Sequence, residues 1–299
     1  MIITLMEKKA FTPSGMGMDS NTYDIFITEY QNNLVNKFTS NGILVKSWGG
    51  LGSSNGKFSS PNDVAVDSKG NVFVTDGYNN RIQKFRLSTV CPVNTIQVTS
   101  GVCLVKTWGT YGNADGDFEF PRGIVIDSKD NVFVVDAWNM RIQKFANNGH
   151  FITKWGEWGT KEGQFRNPDV IALDPKTDDV YVHDSDNFRI QKFNKNGKYI
   201  LNWGEQGNGQ GQFGNVYGIA VDPKSGHVYV SDTSNSRIQV FTKNGGFVTS
   251  WGNYGIADGD FNTQMDLNVD SNHDIFVADL NNHRIQKLDK NGNFITKWP

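Results

Sequence analysis

The chain has 299 residues, with 29 Lys and Arg against 31 Asp and Glu, and a net charge of −2. This balance gives no electrostatic reason to expect nucleic acid as a partner. No stretch of about 18 apolar residues occurs, so the sequence predicts no membrane-spanning helix. The first nine residues, which end in Glu7, Lys8 and Lys9, are too short and too charged to predict a secretory signal.

A short segment that begins with Arg-Ile-Gln recurs along the chain at intervals of 60, 48, 48 and 47 residues. Each copy has an aspartate five residues before the arginine and an asparagine two residues before it. The five arginines are Arg81, Arg141, Arg189, Arg237 and Arg284. A degenerate first copy carries Glu29, Asn32 and Leu34 at the same places, which makes six. A period of about 45 residues built from short strands indicates a propeller or a linear array.

Each copy reads as four short strands in chain order. In the copy that contains Arg189, β-branched and aromatic residues predict strands over 170–174, 179–184, 189–193 and 199–203. Pro175 and Asp178 mark the first turn, and Asn196-Gly197 marks the last, where both residues tolerate positive φ. The copy is therefore predicted to be an antiparallel meander of four strands. Because one such sheet cannot cover both of its faces, six are expected to stack around an axis.

The copies end in Trp-Gly and are joined by glycine-rich connections, such as residues 204–213, that close with a phenylalanine. We expect each connection to run from the outer edge of one sheet to the inner edge of the next. The closing phenylalanines are predicted to fill the gaps between sheets: Phe58, Phe118, Phe165, Phe213 and Phe261.

The combined pattern is Asp-x-x-Asn-x-Arg-Ile-Gln-Lys-Phe, then Asn-Gly-x-Phe-x-x-x-Trp-Gly, then Gly-x-Phe-x-x-Pro-x-Gly-Ile-Ala-Val-Asp. It resembles the NHL-repeat family over roughly residues 10–298. The resemblance implies a six-bladed propeller. Members of that family serve as protein- or RNA-binding heads of tripartite-motif proteins and as sensor domains of bacterial receptor kinases, and a related propeller forms the peptidyl-hydroxyglycine amidating lyase. Fold alone does not select among these functions.

The predicted fold class is therefore all-β, a six-bladed β-propeller of four-stranded antiparallel blades. Residues 1–299 are predicted to form one domain, with blades over roughly 10–50, 51–109, 110–156, 157–204, 205–252 and 253–298. The repeated aspartate and arginine flank one turn, so a charge-assisted hydrogen bond is expected between them. Since a binding site on a ring need not repeat in every blade, we interpret these repeated residues as structural.

Residues that do not follow the repeat are the candidates for function. The loops between second and third strands and the interblade connections are expected on one face, where aromatic side chains without a core role suggest a contact surface. The alternative is that they cover neighbouring loops. The candidates are Tyr30, Tyr78, Trp138, Phe188, Tyr111, Trp158 and Tyr254, with Asp186, Leu280 and His283 beside them.

A second group of candidates follows the proline position at the start of each blade. Asp63, Asp169 and Asp266 come from the second, fourth and sixth blades, and we expect them at the channel mouth with Arg122 and Tyr217. Such carboxylates could hold Ca²⁺ or a cationic ligand. The alternative is three solvated acids around a wet channel. No other cofactor is predicted.

Catalytic motifs are not evident. Of the five histidines, His150, His227 and His273 are expected on the opposite face, while His183 and His283 belong to different blades, so no zinc site is predicted. Neither Gly-x-Ser-x-Gly nor His-Glu-x-x-His occurs. A catalytic pair of carboxylates remains open, because spacing on a ring does not reveal it.

The one irregular interval, between Arg81 and Arg141, contains an excess of about 13 residues that maps to a turn over 86–101. The only two cysteines lie at this insertion, Cys91 within it and Cys103 just after it. This arrangement favours a disulfide and, with it, an oxidising compartment. The alternative is a pair of free thiols, and the lack of an Asn-x-Ser/Thr sequon argues weakly against a secreted eukaryotic chain.

These observations favour a monomeric, non-catalytic recognition or scaffold propeller that binds a protein or peptide through its loop face. Two alternatives stay open. One is an RNA-binding module of the tripartite-motif or sensor type, which would need a basic surface that the loops do not offer. The other is a lyase- or lactonase-like enzyme with a metal in the channel.

Overall fold

The computed structural model describes residues 10–298 and consists of six antiparallel sheets arranged as blades around an axis. The opening residues, for which no secretory signal is predicted, lie outside this range. The first blade contains β1 Met16–Met18, β2 Ile25–Glu29, β3 Leu34–Phe38 and β4 Leu44–Gly49. The second contains β5 Pro61–Val66, β6 Asn71–Asp76, β7 Arg81–Leu87, β8 Ile96–Thr99 and β9 Val102–Trp108. The third contains β10 Pro121–Ile126, β11 Val132–Asp136, β12 Arg141–Phe145 and β13 Phe151–Trp155.

The remaining blades repeat the same order. The fourth contains β14 Pro168–Leu173, β15 Val180–Asp184, β16 Arg189–Phe193 and β17 Tyr199–Trp203. The fifth contains β18 Val216–Val221, β19 Val228–Asp232, β20 Arg237–Phe241 and β21 Phe247–Trp251. The sixth contains β22 Gln264–Val269, β23 Ile275–Asp279, β24 Arg284–Leu288 and β25 Phe294–Trp298. The predicted all-β, six-bladed propeller is confirmed.

The innermost strands contact one another around the ring, and β1 contacts β22, so the first and sixth blades meet. One end of the axis is lined by Gly17, Ala65, Val125, Ala172, Ala220 and Asn268, and all but Asn268 are small or apolar, as crowding near an axis requires. Helical structure in the described chain is limited to single 3₁₀ turns between second and third strands: Gly77–Asn79, Ala137–Asn139, Ser185–Asn187, Thr233–Asn235 and Leu280–Asn282.

Aromatic packing fills the spaces between blades. Phe58 is fully buried and packs in one cluster with Trp48 of the first blade and Phe85 of the second. Its counterparts Phe118, Phe165, Phe213 and Phe261 are buried in the same way. The predicted role of these phenylalanines as interblade plugs is confirmed, because each one packs in a cluster with buried apolar residues of both neighbouring blades.

The repeated aspartate and arginine form the expected ion pair in all five complete copies, with Nε–Oδ2 distances of 2.6–2.8 Å. Asp184, which is fully buried, also accepts hydrogen bonds from Asn187, Gln191 and the backbone N–H of Arg166. Arg189 in turn donates to two backbone carbonyls of the preceding connection. The repeated residues therefore tie each connection to its own blade. In the first blade Glu29 replaces the aspartate and accepts from Asn32 and the Thr12 N–H.

The insertion in the second blade differs from the prediction of a turn. The third strand continues to Leu87, and Ile96–Thr99 adds a fifth strand that pairs with β9 at the outer edge. The insertion is long enough to fold back on itself, and Val98 of the added strand packs against the hydrophobic cluster between the first two blades. Cys91 and Cys103 form a disulfide, the pairing that their position at the insertion favours.

Candidate functional site

Two cavities lie at opposite ends of the propeller axis. The larger, of about 760 Å³, opens on the face that carries the 3₁₀ turns and the interblade connections. The smaller, of about 530 Å³, opens on the face of the turns between first and second strands. Asp63, Val170 and Asp266 line both cavities and therefore mark the level at which they adjoin. We call the larger one the axial cavity.

A β-bulge in the innermost strands places Asp63 and Asp266 at this level. Regular pairing is interrupted between Pro61 and Val64 and again between Gln264 and Leu267. A bulge leaves a residue unpaired and redirects its side chain. The Asp63 carboxylate consequently accepts hydrogen bonds from the N–H of Val64 at 2.7 Å and of Ile124, in the next blade, at 2.8 Å.

Asp266 repeats this arrangement at the junction of the last and first blades. Its carboxylate accepts from its own strand at the Leu267 N–H and from the first blade at the Met16 N–H, both at 2.8 Å. Burial in the protein raises the pKa of Asp63 to about 7, although the two backbone hydrogen bonds oppose the change. Burial also raises the pKa of Asp266 well above its ordinary value, and the negative charge of Asp63 raises it further.

Asp169 has a different environment from the other two acids. Its carboxylate contacts Nδ1 of the fully buried His183 at 2.8 Å, and Arg122 Nη1 lies 3.9 Å away. Tyr217 lines the same part of the cavity, and burial together with the charge of Asp169 raises its pKa. All five residues predicted at the channel mouth thus line the axial cavity. Asp169 has Arg122 and His183 as neighbours, whereas Asp63 and Asp266 have no basic side chain as a partner in the part of the chain that the structure describes.

Aromatic side chains form one corner of the cavity rim: Tyr78 and Phe120 line the axial cavity, and Trp138, outside the lining, packs on Phe120. Phe120 stacks on Trp138 with ring centroids 5.0 Å apart and an interplanar angle of 27°, and Tyr78 lies 4.9 Å from it on another side. The Arg122 guanidinium lies 5.4 Å from the Phe120 ring, within the range of a cation–π contact. Tyr78 and Trp138 keep 64% and 51% of their surface exposed. We call Tyr78, Phe120 and Trp138 the rim cluster.

Sequence reasoning missed Phe120. Its backbone has a φ of 53°, in the left-handed region, but Ser60, Asn167 and Thr263 have the same conformation at the equivalent position. The backbone geometry therefore belongs to the repeat, and only the large side chain is specific to the third blade. That contrast was present in the sequence as a phenylalanine where the sister copies have Ser60, Asn167, Asn215 and Thr263.

Other predicted loop-face residues do not converge on the cavity. Trp158 is 66% exposed and lies under Arg166, while Tyr111 and Tyr254 project from other connections. Phe188 is partly buried at its own turn and is not part of the cavity lining. Tyr30 and Asp186 do line it. The expectation that Leu280 lies on the contact surface is wrong, because its side chain is buried within its blade. His283 contacts the Phe11 carbonyl instead of the cavity.

Among residues 10–298, no group of three or more His, Cys, Asp or Glu side chains is arranged to hold a metal ion. The Asp63 and Asp266 carboxylates each accept backbone N–H groups, and Asp169 contacts His183. The calcium interpretation therefore gains no support from the geometry. In the same part of the chain, no helix is both long and apolar enough to cross a membrane.

The family model for the NHL repeat matches residues 58–85, 118–145, 213–241 and 266–288. The first three segments each contain the closing phenylalanine, the innermost strand, the repeated ion pair and the third strand of one blade, and the fourth begins within the innermost strand of the last blade. The chain belongs to the NHL-repeat family. Its fold is the six-bladed propeller that the repeat defines.

Two curated relatives illustrate the range of this family. Human NHL repeat-containing protein 3 is 25% identical over 167 residues, which cover 51% of this chain and 44% of that protein. A Caenorhabditis elegans protein named Probable peptidyl-alpha-hydroxyglycine alpha-amidating lyase is 29% identical over 144 residues, or 46% of this chain and 37% of that protein. The chain thus spans less than half the length of either relative. Their names describe different kinds of protein, a repeat protein and an enzyme.

A crystal structure of virginiamycin B lyase from Staphylococcus aureus, a catalytically inactive variant with quinupristin, superposes with a TM-score of 0.65. The alignment covers 98% of this chain and 86% of the lyase at 15% sequence identity. Identity at this level shows a shared fold and nothing about the reaction.

Proposed function

We propose that this propeller is a non-catalytic recognition module that binds a protein or peptide segment at the axial cavity. The observation that supports it most directly is the rim cluster, where Phe120 supports the exposed faces of Tyr78 and Trp138 beside a cavity of about 760 Å³. Large, partly exposed aromatic side chains next to a concave surface are typical anchors of binding interfaces. In the other blades the equivalent positions are filled by small or polar residues, so the blade itself does not require aromatic side chains there.

The size and shape of the cavity favour a segment of chain over a flat protein surface. A volume of about 760 Å³ accommodates a few side chains, in the range that small ligands occupy. An extended peptide lying across the rim cluster would place one side chain over the axis and its neighbours on the surrounding loops. The rim aromatics would then cover its apolar parts, and the polar loops would accept its backbone hydrogen bonds.

The charges of the lining argue against RNA as the ligand. Its acidic residues are Asp63, Asp169, Asp186 and Asp266, and its one basic residue is Arg122. Nucleic-acid sites instead gather Lys and Arg to neutralise phosphates. Binding of RNA at this face is therefore the less favoured alternative.

An enzymatic role is the second candidate, and Asp63 is the observation that favours it. A carboxyl group with a pKa of about 7 at the floor of a cavity has the protonation behaviour of a general acid or base. The similarity to a protein named as an amidating lyase points the same way. The test is to assay the protein for turnover of peptidyl-hydroxyglycine and of a lactone, after its metal content has been measured. Activity that is lost in Asp63→Asn would favour the enzymatic role.

The recognition proposal is tested by selecting from a random peptide library on the immobilised protein. Enriched peptides are synthesised and their affinities measured for the wild type and for variants that borrow sister-blade residues. Trp138→Ser and Phe120→Asn alter the rim cluster, while Trp158→Gln changes an exposed tryptophan on another connection and serves as the control. We expect both rim variants to lose affinity and the control to retain it. Equal binding by all three variants would contradict the proposal.

A further inference from the structure

We propose that the axial cavity receives one positively charged side chain, a guanidinium or ammonium group, which passes the rim cluster and stops at Asp63 and Asp266. This inference rests on the proposed peptide-binding function and specifies the residue type that the peptide presents. The occupant is defined by its chemistry: an arginine, a lysine or an amine of similar size.

The charges of the lining favour a cation over a neutral or acidic group. Arg122, its one basic residue, is already matched because Asp169 lies 3.9 Å from its guanidinium and Phe120 lies beneath it. Within residues 10–298, Asp63 and Asp266 form no ion pair with any Lys, Arg or His side chain. Two acids at the floor of the cavity are thus left without a positive partner.

The two carboxyl groups are fixed in position and still able to bind. Each oxygen of Asp63 accepts one backbone N–H, from Val64 or Ile124, and each oxygen of Asp266 accepts one from Leu267 or Met16. A carboxylate oxygen has a second lone pair, so one further hydrogen bond per oxygen remains available. Both side chains keep partial exposure to the cavity. Preorganised acceptors of this kind suit a guanidinium or ammonium group, which only donates.

Aromatic walls complete the recognition of a cation. Tyr30, Tyr78, Phe120 and Tyr217 line the path from the rim to the floor. Aromatic faces attract a cation through the ring quadrupole and also cover the aliphatic part of a long side chain. The side chain of lysine or arginine can make both kinds of contact, whereas the negative charge of an acidic side chain would be repelled by Asp63 and Asp266.

Binding should release protons near neutral pH. Because burial raises the pKa of Asp63 to about 7 and raises that of Asp266 as well, both groups hold protons that an incoming cation would displace. Affinity should accordingly increase as pH rises from about 6 to 8. The other titratable or charged groups that line this cavity are Asp169, Asp186, Arg122, Tyr30, Tyr78 and Tyr217.

The test uses Nα-acetylated arginine amide as the probe and Nα-acetylated citrulline amide as its neutral counterpart of nearly equal shape, so that neither compound carries a charged α-amino group. Calorimetric titrations at pH 7 in two buffers of different ionisation enthalpy measure both affinity and proton release. We expect arginine amide to bind at least about ten-fold more tightly, since only it forms charge-assisted hydrogen bonds. Net proton release should accompany its binding. Asp63→Asn and Asp266→Asn, first checked for folding by thermal melting, should lose the preference and the proton release.

The outcomes separate this inference from the proposed function. Equal affinity for both amides, or an undiminished preference in both Asn variants, would overturn the cation site. Selected peptides that depend on Trp138 but contain no basic residue would overturn the cation site and leave the peptide-binding proposal intact. Conversely, the protein could bind arginine amide more tightly than citrulline amide while the library yields no peptide whose affinity depends on Trp138. That result would support the cation site and contradict the peptide-binding proposal.

Discussion

Gly42, in the Asn-Gly turn of the first blade, lies directly against the indole of Trp298 at the end of the last blade. A Cβ atom on Gly42 would stand 2.5 Å from Cγ and Cδ2 of that ring. The same contact joins Gly149 to Trp108 and Gly197 to Trp155 in successive blades. The first blade is built only from β1–β4 and the last only from β22–β25, so no sheet in the described range combines strands from both ends of the chain. The contact between Gly42 and Trp298 therefore helps to hold the first and last blades together.

Gly42→Ala should therefore destabilise the ring closure. Two costs combine: the positive φ of 80°, which disfavours any side chain, and the collision with Trp298. Gly226→Ala is the matched control, since it has a φ of 73° with no atom within 4 Å of the added Cβ. We expect Gly42→Ala to cost about 1–3 kcal/mol more than the control in chemical denaturation. Equal costs would mean that the indole moves aside and the contact contributes nothing.

Arg189→Ala tests the repeated ion pair. Asp184 is fully buried and Arg189 nearly so, and removal of the guanidinium would leave a buried carboxylate without its cation. We expect a loss of about 3 kcal/mol in the free energy of unfolding. Lys154→Ala removes an ion pair with Asp115 in which both side chains are about half exposed, and should cost less than about 1 kcal/mol. If the two variants lost the same stability, the repeated pair would be no more than a solvated contact.

Trp138→Ala should separate binding from stability. The indole is half exposed and stacks on Phe120, so the melting temperature should change little. Affinity for peptides selected on the wild type should fall by roughly 2 kcal/mol, about thirty-fold. Thermal melting and calorimetry measure the two effects in the same preparation. A large drop in melting temperature with binding retained by the folded fraction would identify Trp138 as a packing residue.

The pH dependence of stability should report on Asp63. An unfolded aspartate loses its proton near pH 4, whereas Asp63 in the folded protein keeps it up to about pH 7. Between these values the folded state binds more protons, so this residue makes stability fall as pH rises. Denaturation of the wild type and of Asp63→Asn from pH 5 to pH 8 should show a steeper decline in the wild type. Because Asn also changes two hydrogen bonds, the slopes are compared and not the absolute stabilities. Parallel profiles would contradict the raised pKa.

Reduction of the Cys91–Cys103 disulfide should affect the second blade first. The bond closes a short loop around β8, and the chain contains no other cysteine, so dithiothreitol acts at this place only. We expect hydrogen exchange to increase over Ile96–Thr99 while the fourth blade stays protected, with a loss of about 2–3 kcal/mol in global stability. Unchanged exchange at β8 would show that its strand pairing and the packing of Val98 suffice without the bond.

The repeat made most of the fold predictable. A period of about 47 residues, strand-turn patterns and Asn-Gly turns specify local meanders that pack in only a few ways, so blade number and strand order followed from the sequence. The ion pairs and the interblade phenylalanines were predictable for the same reason, since each occurs in nearly every copy. The fifth strand of the second blade was not, because an insertion present once has no sister copy to compare with.

The candidate site depended on tertiary structure to a greater degree. Sequence position alone placed Asp63, Asp169 and Asp266 at the channel mouth, and all three line the axial cavity, but only Asp63 and Asp266 reach the level where the two cavities adjoin. What distinguishes them is their surroundings: His183 and Arg122 reach Asp169, while only backbone N–H groups reach the other two. Phe120 gains its role from contacts with loops of two blades. Spacing along the chain fixes where a residue enters the ring, but burial and neighbouring charges, which set pKa and exposure, arise only when the blades assemble.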